Sequence, residues 1–128
     1  MLDLALLPED YAVCRLPVDA GVPVELFAGP QPAVISITRT PDEISVICPA
    51  QRAPAHATVE TPWRCFRMDG PLTLPLTGIL ASLTVPLAEA RVNIFAFSTF
   101  DTDYVLVPAV RLGEARAALT GAGHRITG

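Results

Sequence analysis

Hydrophobic and polar residues follow two rhythms along this chain, and the change from one to the other divides it. From Met1 to about Pro62, short apolar runs alternate with polar residues and are broken by prolines, the period-two pattern of half-buried strands. Leu4–Leu7 and Tyr11–Leu16 read as two strands separated by Pro8-Glu9-Asp10. Ala33–Arg39 and Glu43–Cys48 read as a hairpin about Thr40-Pro41-Asp42, with β-branched residues alternating with smaller or polar ones. Val18–Pro32 is rich in Pro and Gly and leaves room for one helical turn near Glu25–Ala28. Pro49–Pro62, carrying Pro49, Pro54 and Pro62, is the natural boundary.

The second half is more regular. Trp63–Met68 alternates as a strand, and Gly70–Pro75 reads as a loop. Leu76, Ile79, Leu80, Leu83, Leu87 and Ala90 then fall at helical spacing, which marks one buried helix face. Pro86 removes an amide donor inside that helix and crowds the Ser82 carbonyl, so a kink or distorted turn is expected over Ser82–Pro86. Val92–Ser98 and Tyr104–Val107 read as strands joined by Thr99–Asp103. Leu112, Ala115 and Leu119 mark a second helix, stopped by Gly121 and Gly123, and His124–Thr127 supplies a last short strand. The order β-α-β-β-α-β over residues 63–128 predicts an α+β, ferredoxin-like unit: an antiparallel sheet with two helices on one face. Residues 1–62 read as a degenerate copy whose helices have shrunk.

Composition narrows the function more than the fold. Hydrophobic residues make up 51% and charged residues 17% of the 128, enough to build a core. A net charge of -4 gives no electrostatic reason to seek nucleic acid or anionic lipid. All nine basic residues are arginine, so Schiff-base catalysis and a phosphate-loop lysine are both excluded. No apolar run approaches the roughly 18 residues that span a bilayer. Met1–Pro8 is apolar but lacks a basic start and carries Asp3, so it reads as a strand rather than a signal peptide. Cys14, Cys48 and Cys65 are odd in number and widely spaced, which fits a reducing compartment and a soluble, cytoplasmic protein.

Candidate chemistry is sparse. His56 and His124 are far apart in sequence, and each reads as a surface or partly packed histidine. The cysteines sit in strand-like runs and read as small hydrophobes. The chain has no C-x-x-C or H-E-x-x-H, and Asp101-Thr102-Asp103 lacks the glycine and distal glutamate of a calcium loop. Gly70–Gly78 lacks the G-K-[ST] ending of a phosphate loop. Trp63 beside Arg64 and Arg67 reads as core packing rather than base stacking. The sequence therefore assigns no catalytic residue, no metal site and no cofactor.

The stretch LTGILASLTVPLAEARVNIFAFSTFDTDYVLVP, Leu76–Pro108, resembles bacterial proteins made of two fused ACT subdomains. It is also similar to the matching segment of CASTOR-type arginine sensors and, more distantly, to the regulatory region of aspartate kinases. The resemblance implies an ACT domain at 63–128 behind an ACT-like subdomain at 1–62. It implies a non-catalytic, regulatory protein that binds an amino acid or similar small effector, forms a homodimer and acts on a regulated protein partner. Carried over by position, Ser98-Thr99-Phe100 and Asp103 match the arginine-contacting strand end, and Thr77-Gly78 matches the loop-to-helix junction where ACT domains meet effectors. The chemistry of those residues is compatible. A helix start at Thr77-Gly78 offers amides to a carboxylate, and Asp101 or Asp103 offers an acid to an ammonium group, only one of the two facing a given pocket. Phe100 could wall an aliphatic ligand portion. The same segment, Thr99–Asp103, also reads as an ordinary hairpin connection in which Thr and Asp cap backbone groups. An alternative function is a dimerisation or interaction module with a vestigial pocket.

Overall fold

Leu2, Leu4 and Leu6 are buried while Asp3, Ala5 and Leu7 between them are only partly so, the alternation of a strand with one face on a core. The computed structural model describes residues 2–29, 33–70 and 78–128. Leu2 precedes β1 and Leu4 and Leu6 lie in it; the strand runs unbroken over Asp3–Leu16 where the sequence predicted two strands. Proline interrupts a strand by withholding a ladder donor. Here β1 pairs with β7 (Arg125–Thr127) through Asp3–Ala5 and with β3 (Ile44–Pro49) through Tyr11–Leu16. Pro8 falls between these two registers, so its missing amide costs neither ladder a bond.

The chain forms two compact units, Glu9–Trp63 on the one hand and Met1–Pro8 with Arg64–Gly128 on the other. The second long strand, β4 (Thr58–Gly70), like β1, lends one half to each.

In the Glu9–Trp63 unit, β2 (Ser36–Arg39) pairs antiparallel with β3, and β3 with the second half of β1. Thr40 turns the β2–β3 corner, its Oγ1 accepting from the Asp42 and Glu43 amides at 3.1 Å each. Ala12, Cys14, Leu16, Ile44, Val46 and Cys48 line the core with Leu26. The expected helical turn is a 3-10 turn at Val24–Phe27, matched by another at Ala50–Arg52. No longer helix occurs among the described residues of this unit.

In the other unit, β4 is followed by α1 (Ile79–Glu89), β5 (Phe95–Ser98), β6 (Asp103–Pro108), α2 (Leu112–Gly121) and β7. The sheet runs β1-β4-β6-β5, with β7 parallel to β1 on its other side. Leu2, Leu4, Leu6, Phe66, Met68, Val105 and Val107 meet Leu83, Leu87, Ala115 and Leu119 of the helices, placing both helices on one face of the sheet. The unit is an α+β, ferredoxin-like fold.

Each helix ends in a paired-carbonyl cap around a left-handed residue. Arg91 has φ 59 and Gly123 φ 96; the Val92 amide donates to the Leu87 carbonyl at 2.9 Å and the His124 amide to that of Leu119 at 3.1 Å. Gly123 rather than Gly121 is the stop, because the reversal requires a positive φ. Arg111 adds bonds from its guanidinium to the Ala90 and Arg91 carbonyls, at 3.3 Å each, where α1 presents its negative end.

α1 runs as one helix through Pro86 rather than as two separate segments. Pro86 has no amide to give the carbonyl four residues back, that of Ser82. His124 Nε2 lies 2.9 Å from this oxygen, and the Leu2 amide donates to His124 Nδ1 at 3.1 Å. Because Nδ1 accepts, Nε2 carries the proton and donates to Ser82. His124 is buried, and it ties α1, the end of α2 and the start of β1 together.

The three thiols are free and buried. Burial pushes Cys65 up to about 12, and burial with the adjacent Cys14 does the same for Cys48. Cys14 is also raised by burial, although its bond to Cys48 works the other way. Among the described residues, no helix is long and apolar enough to cross a membrane, and no group of three or more His, Cys, Asp or Glu could hold a metal ion.

Replacing His124 by Ala strands two polar groups and should cost about 2–4 kcal/mol in urea unfolding. In a Pro86→Ala background, where the restored amide at that position can again donate to Ser82, the same change should cost about 1 kcal/mol less; an equal cost in both backgrounds would remove Ser82 from the account. The thiols, in turn, should resist a disulfide reagent at pH 8 until the chain unfolds. The folded state holds the Cys48 and Cys65 protons more tightly than the unfolded chain. This stabilisation is complete below the ordinary thiol value of 9.0 and is lost as pH rises toward about 12. Alkaline unfolding curves that do not fall across that window would contradict it.

Candidate functional site

The β5–β6 hairpin brings most of the sequence-predicted residues together. Ser98 pairs with Asp103 in register, and the Thr99 amide donates to the Thr102 carbonyl at 2.8 Å, closing a tight turn over Phe100 and Asp101. Thr99 Oγ1 donates to the Thr102 carbonyl and receives the Thr102 amide, both at 3.3 Å. Ser98 Oγ donates to Asp103 Oδ1. Much of the polar chemistry at this strand end therefore serves the turn itself. Asp103 Oδ2 and the Asp101 carboxylate carry no protein partner among the described residues. Phe100 is fully exposed at the tip, with no wall of protein behind it.

Below the tip, the Phe97 and Tyr104 rings stack at 5.0 Å with planes 5° apart. Tyr104 alternates with the core residue Val105, so the pair lies on the face away from the helices. Arg67 on β4 is held in its charged form by the hydrogen bond to Asp69, with Nε 2.6 Å from Oδ1, and Tyr104 adds a smaller contribution. Thr102 Oγ1 donates to the Met68 carbonyl, fixing the hairpin end against the end of β4. β4 therefore ends beside this hairpin.

Gly78 is the residue from which α1 begins. Its φ is 86, a conformation that strongly favours glycine, and its carbonyl accepts the Ser82 amide at 3.0 Å. Among the described residues no side chain caps the helix start, so the amides of the first turn are not used by a capping group there. Thr77 lies outside the described residues, as does Leu76 of the predicted helix face. Gly78 and the hairpin residues thus belong to separate elements, the start of α1 and the β5–β6 connection.

Two features were missed from sequence. Pro86 signalled an orphaned carbonyl at Ser82, but its donor, His124, is 42 residues away in the chain. The other is Arg52, whose Nη2 donates to the Leu26 carbonyl beside a cavity in the Glu9–Trp63 unit. Only the Pro- and Gly-rich texture around it gave any sign.

Comparison with known proteins places this geometry. A family model described as the ACT domain matches residues 58–121, and a second, for the N-terminal domain of a family described by one of its members, matches residues 9–56. No curated protein matches the chain by sequence. Among solved structures, an Agrobacterium tumefaciens protein is 34% identical at a TM-score of 0.89, covering 98% of this chain and 92% of its own. A Vibrio cholerae protein of unknown function is 18% identical, with a TM-score of 0.75, over 94% of this chain and 89% of that one. The regulatory subunit of aspartate kinase from Thermus thermophilus is 16% identical, with a TM-score of 0.67, over 94% and 97%. With the β-α-β-β-α-β unit in place and the ACT model spanning 58–121, the chain belongs to the ACT-domain family.

Proposed function

We propose that this chain is a non-catalytic regulatory protein of the cytoplasm that binds an amino acid or a close analogue and passes its occupancy to a protein partner. The observation that carries the reading is the ACT unit itself, whose relatives in fold include regulatory subunits of aspartate kinase. The site we propose lies at the end of β4, between the start of α1 at Thr77-Gly78 and the hairpin residues Ser98, Thr99, Phe100, Asp101 and Asp103. The uncapped first turn of α1 supports a carboxylate there, because its amides and the helix dipole both favour an anion. Asp103 supports an ammonium group, since one carboxylate oxygen is steadied by Ser98 and the other has no protein partner among the described residues. Asp101 is the second acid of the turn, and Phe100 acts only if another surface closes on it.

A homodimer is part of the same proposal. β5 ends the strand order of its unit, so one row of its backbone groups lacks a neighbouring strand among the described residues. A second copy would supply that strand and bring a surface up to Phe100.

Thermal unfolding with each common amino acid in turn tests the reading. A specific effector at about 100 times its Kd should stabilise the protein by about 2.7 kcal/mol. Asp103→Asn keeps an acceptor for Ser98 but loses the charge, and should weaken that effector about tenfold in calorimetry. If no amino acid raises the melting temperature, the effector class is wrong. If Asp103→Asn binds as tightly as the parent, the placement is wrong.

A further inference from the structure

In the unit built on Arg64–Gly128, two full helices cover the sheet, and Leu83, Leu87, Ala115 and Leu119 fill the space beneath them. The Glu9–Trp63 unit has, among its described residues, only the two 3-10 turns, Val24–Phe27 and Ala50–Arg52, on its strands. A 3-10 turn of three or four residues carries too few side chains to fill the layer that an 11-residue helix fills. Beside these turns lies an open cavity of about 660 Å³, within the range of small-molecule sites. Its walls are largely apolar, with Leu16, Ala20, Leu26 and Pro54 among them.

One cation lines this cavity. Arg52 is half-buried, and its Nη2 donates to the Leu26 carbonyl. Its remaining N–H groups have no protein acceptor, and no carboxylate pairs with it, among the described residues. Gly29 packs directly on the guanidinium: a Cβ there would stand 2.9 Å from Nη2. The backbone thus leaves space for the charged group at a point where any larger residue would push it away. An arginine in an apolar enclosure retains its charge, so an anion is the partner that completes it. His56, at the cavity wall, is held at φ 66, a conformation costly for a residue with a Cβ. Its ring adds a second polar group. Glu25, exposed at the cavity, is the only acid among the described lining residues, and it limits how much negative charge a ligand can carry.

We propose that the cavity of the Glu9–Trp63 unit is a small-molecule site of its own, taking a compact monocarboxylate with an aliphatic body. The carboxylate pairs with Arg52, and the hydrocarbon lies along Leu16, Ala20 and Leu26. The site is distinct from the effector site at Gly78 and the hairpin and does not depend on it.

The test is a titration of the full chain with 4-methylpentanoate, followed by amide resonances in NMR. Saturable shifts should be confined to Leu16–Leu26 and Ala50–His56. Acetate, which lacks the aliphatic body, and 4-methylpentan-1-ol, which lacks the charge, should each bind at least about tenfold more weakly. Arg52→Gln should lose about tenfold in affinity. If that variant fails to fold, Ala55→Trp, an exposed wall residue changed without touching Arg52, should block binding in its place. No saturable shifts, equal binding by the alcohol, or shifts located at Gly78 and Ser98–Asp103 would each overturn the proposal. The last outcome would leave the effector site standing, so the two readings fail separately.

Discussion

A helix with a proline in its third turn has a carbonyl that the helix itself cannot satisfy, and the arrangement around α1 follows from that constraint. An unpaired carbonyl at Ser82 in a part-buried position would cost on the order of a hydrogen bond's desolvation, a large share of a small domain's stability. Its donor, His124, is usable only because α2 ends in a left-handed Gly123 that swings the next residue back across α1. The ring's other nitrogen then accepts from Leu2, which fixes where β1 begins. A single imidazole thus links three segments distant in sequence, and the parallel β1–β7 ladder begins at the following residue. The exposed Arg125–Asp3 ion pair beside that ladder, at 2.7 Å, adds little by comparison.

Much of the second half could be read from sequence because its signals are local. The spacing of Ile79, Leu83 and Leu87, the alternation through Trp63–Met68 and the glycines after Leu119 each depend on neighbours within a turn or two. What escaped were pairings across the chain. The two strands read on either side of Pro8 are one, because the partners that hold β1 continuous, β7 and β3, come from distant parts of the chain. The donor that meets the Ser82 carbonyl escaped for a related reason. Proline chemistry predicts the lost bond, but the group that replaces the donor is encoded 42 residues away.

The hairpin shows how the same residues serve two readings. Ser98, Thr99 and Thr102 are largely occupied in holding the turn, as expected of any short polar connection. A carboxylate steadied on one oxygen presents the other in a fixed direction, which is what the proposed site asks of Asp103. Preorganisation of this kind lowers the entropy cost of binding. Phe100 differs: its full exposure gives it nothing to do within its own unit. The sequence could place all of these residues on one loop but could not say which were already engaged.

The division of β1 also orders events during synthesis. Glu9–Trp63 is a continuous stretch, so everything that unit needs has been synthesised once β4 has been made. The ACT unit is discontinuous, combining the first eight residues with the last 65 and closing a strand pair between Asp3–Ala5 and Arg125–Thr127. Its leucine-rich edge must therefore wait, unpaired on that side, until the far end of the chain has been translated. Contacts of such long range are slow to form. The early-folding unit fixes the second half of β1 in the meantime, and so keeps the waiting strand tethered to a structured neighbour rather than to a free coil.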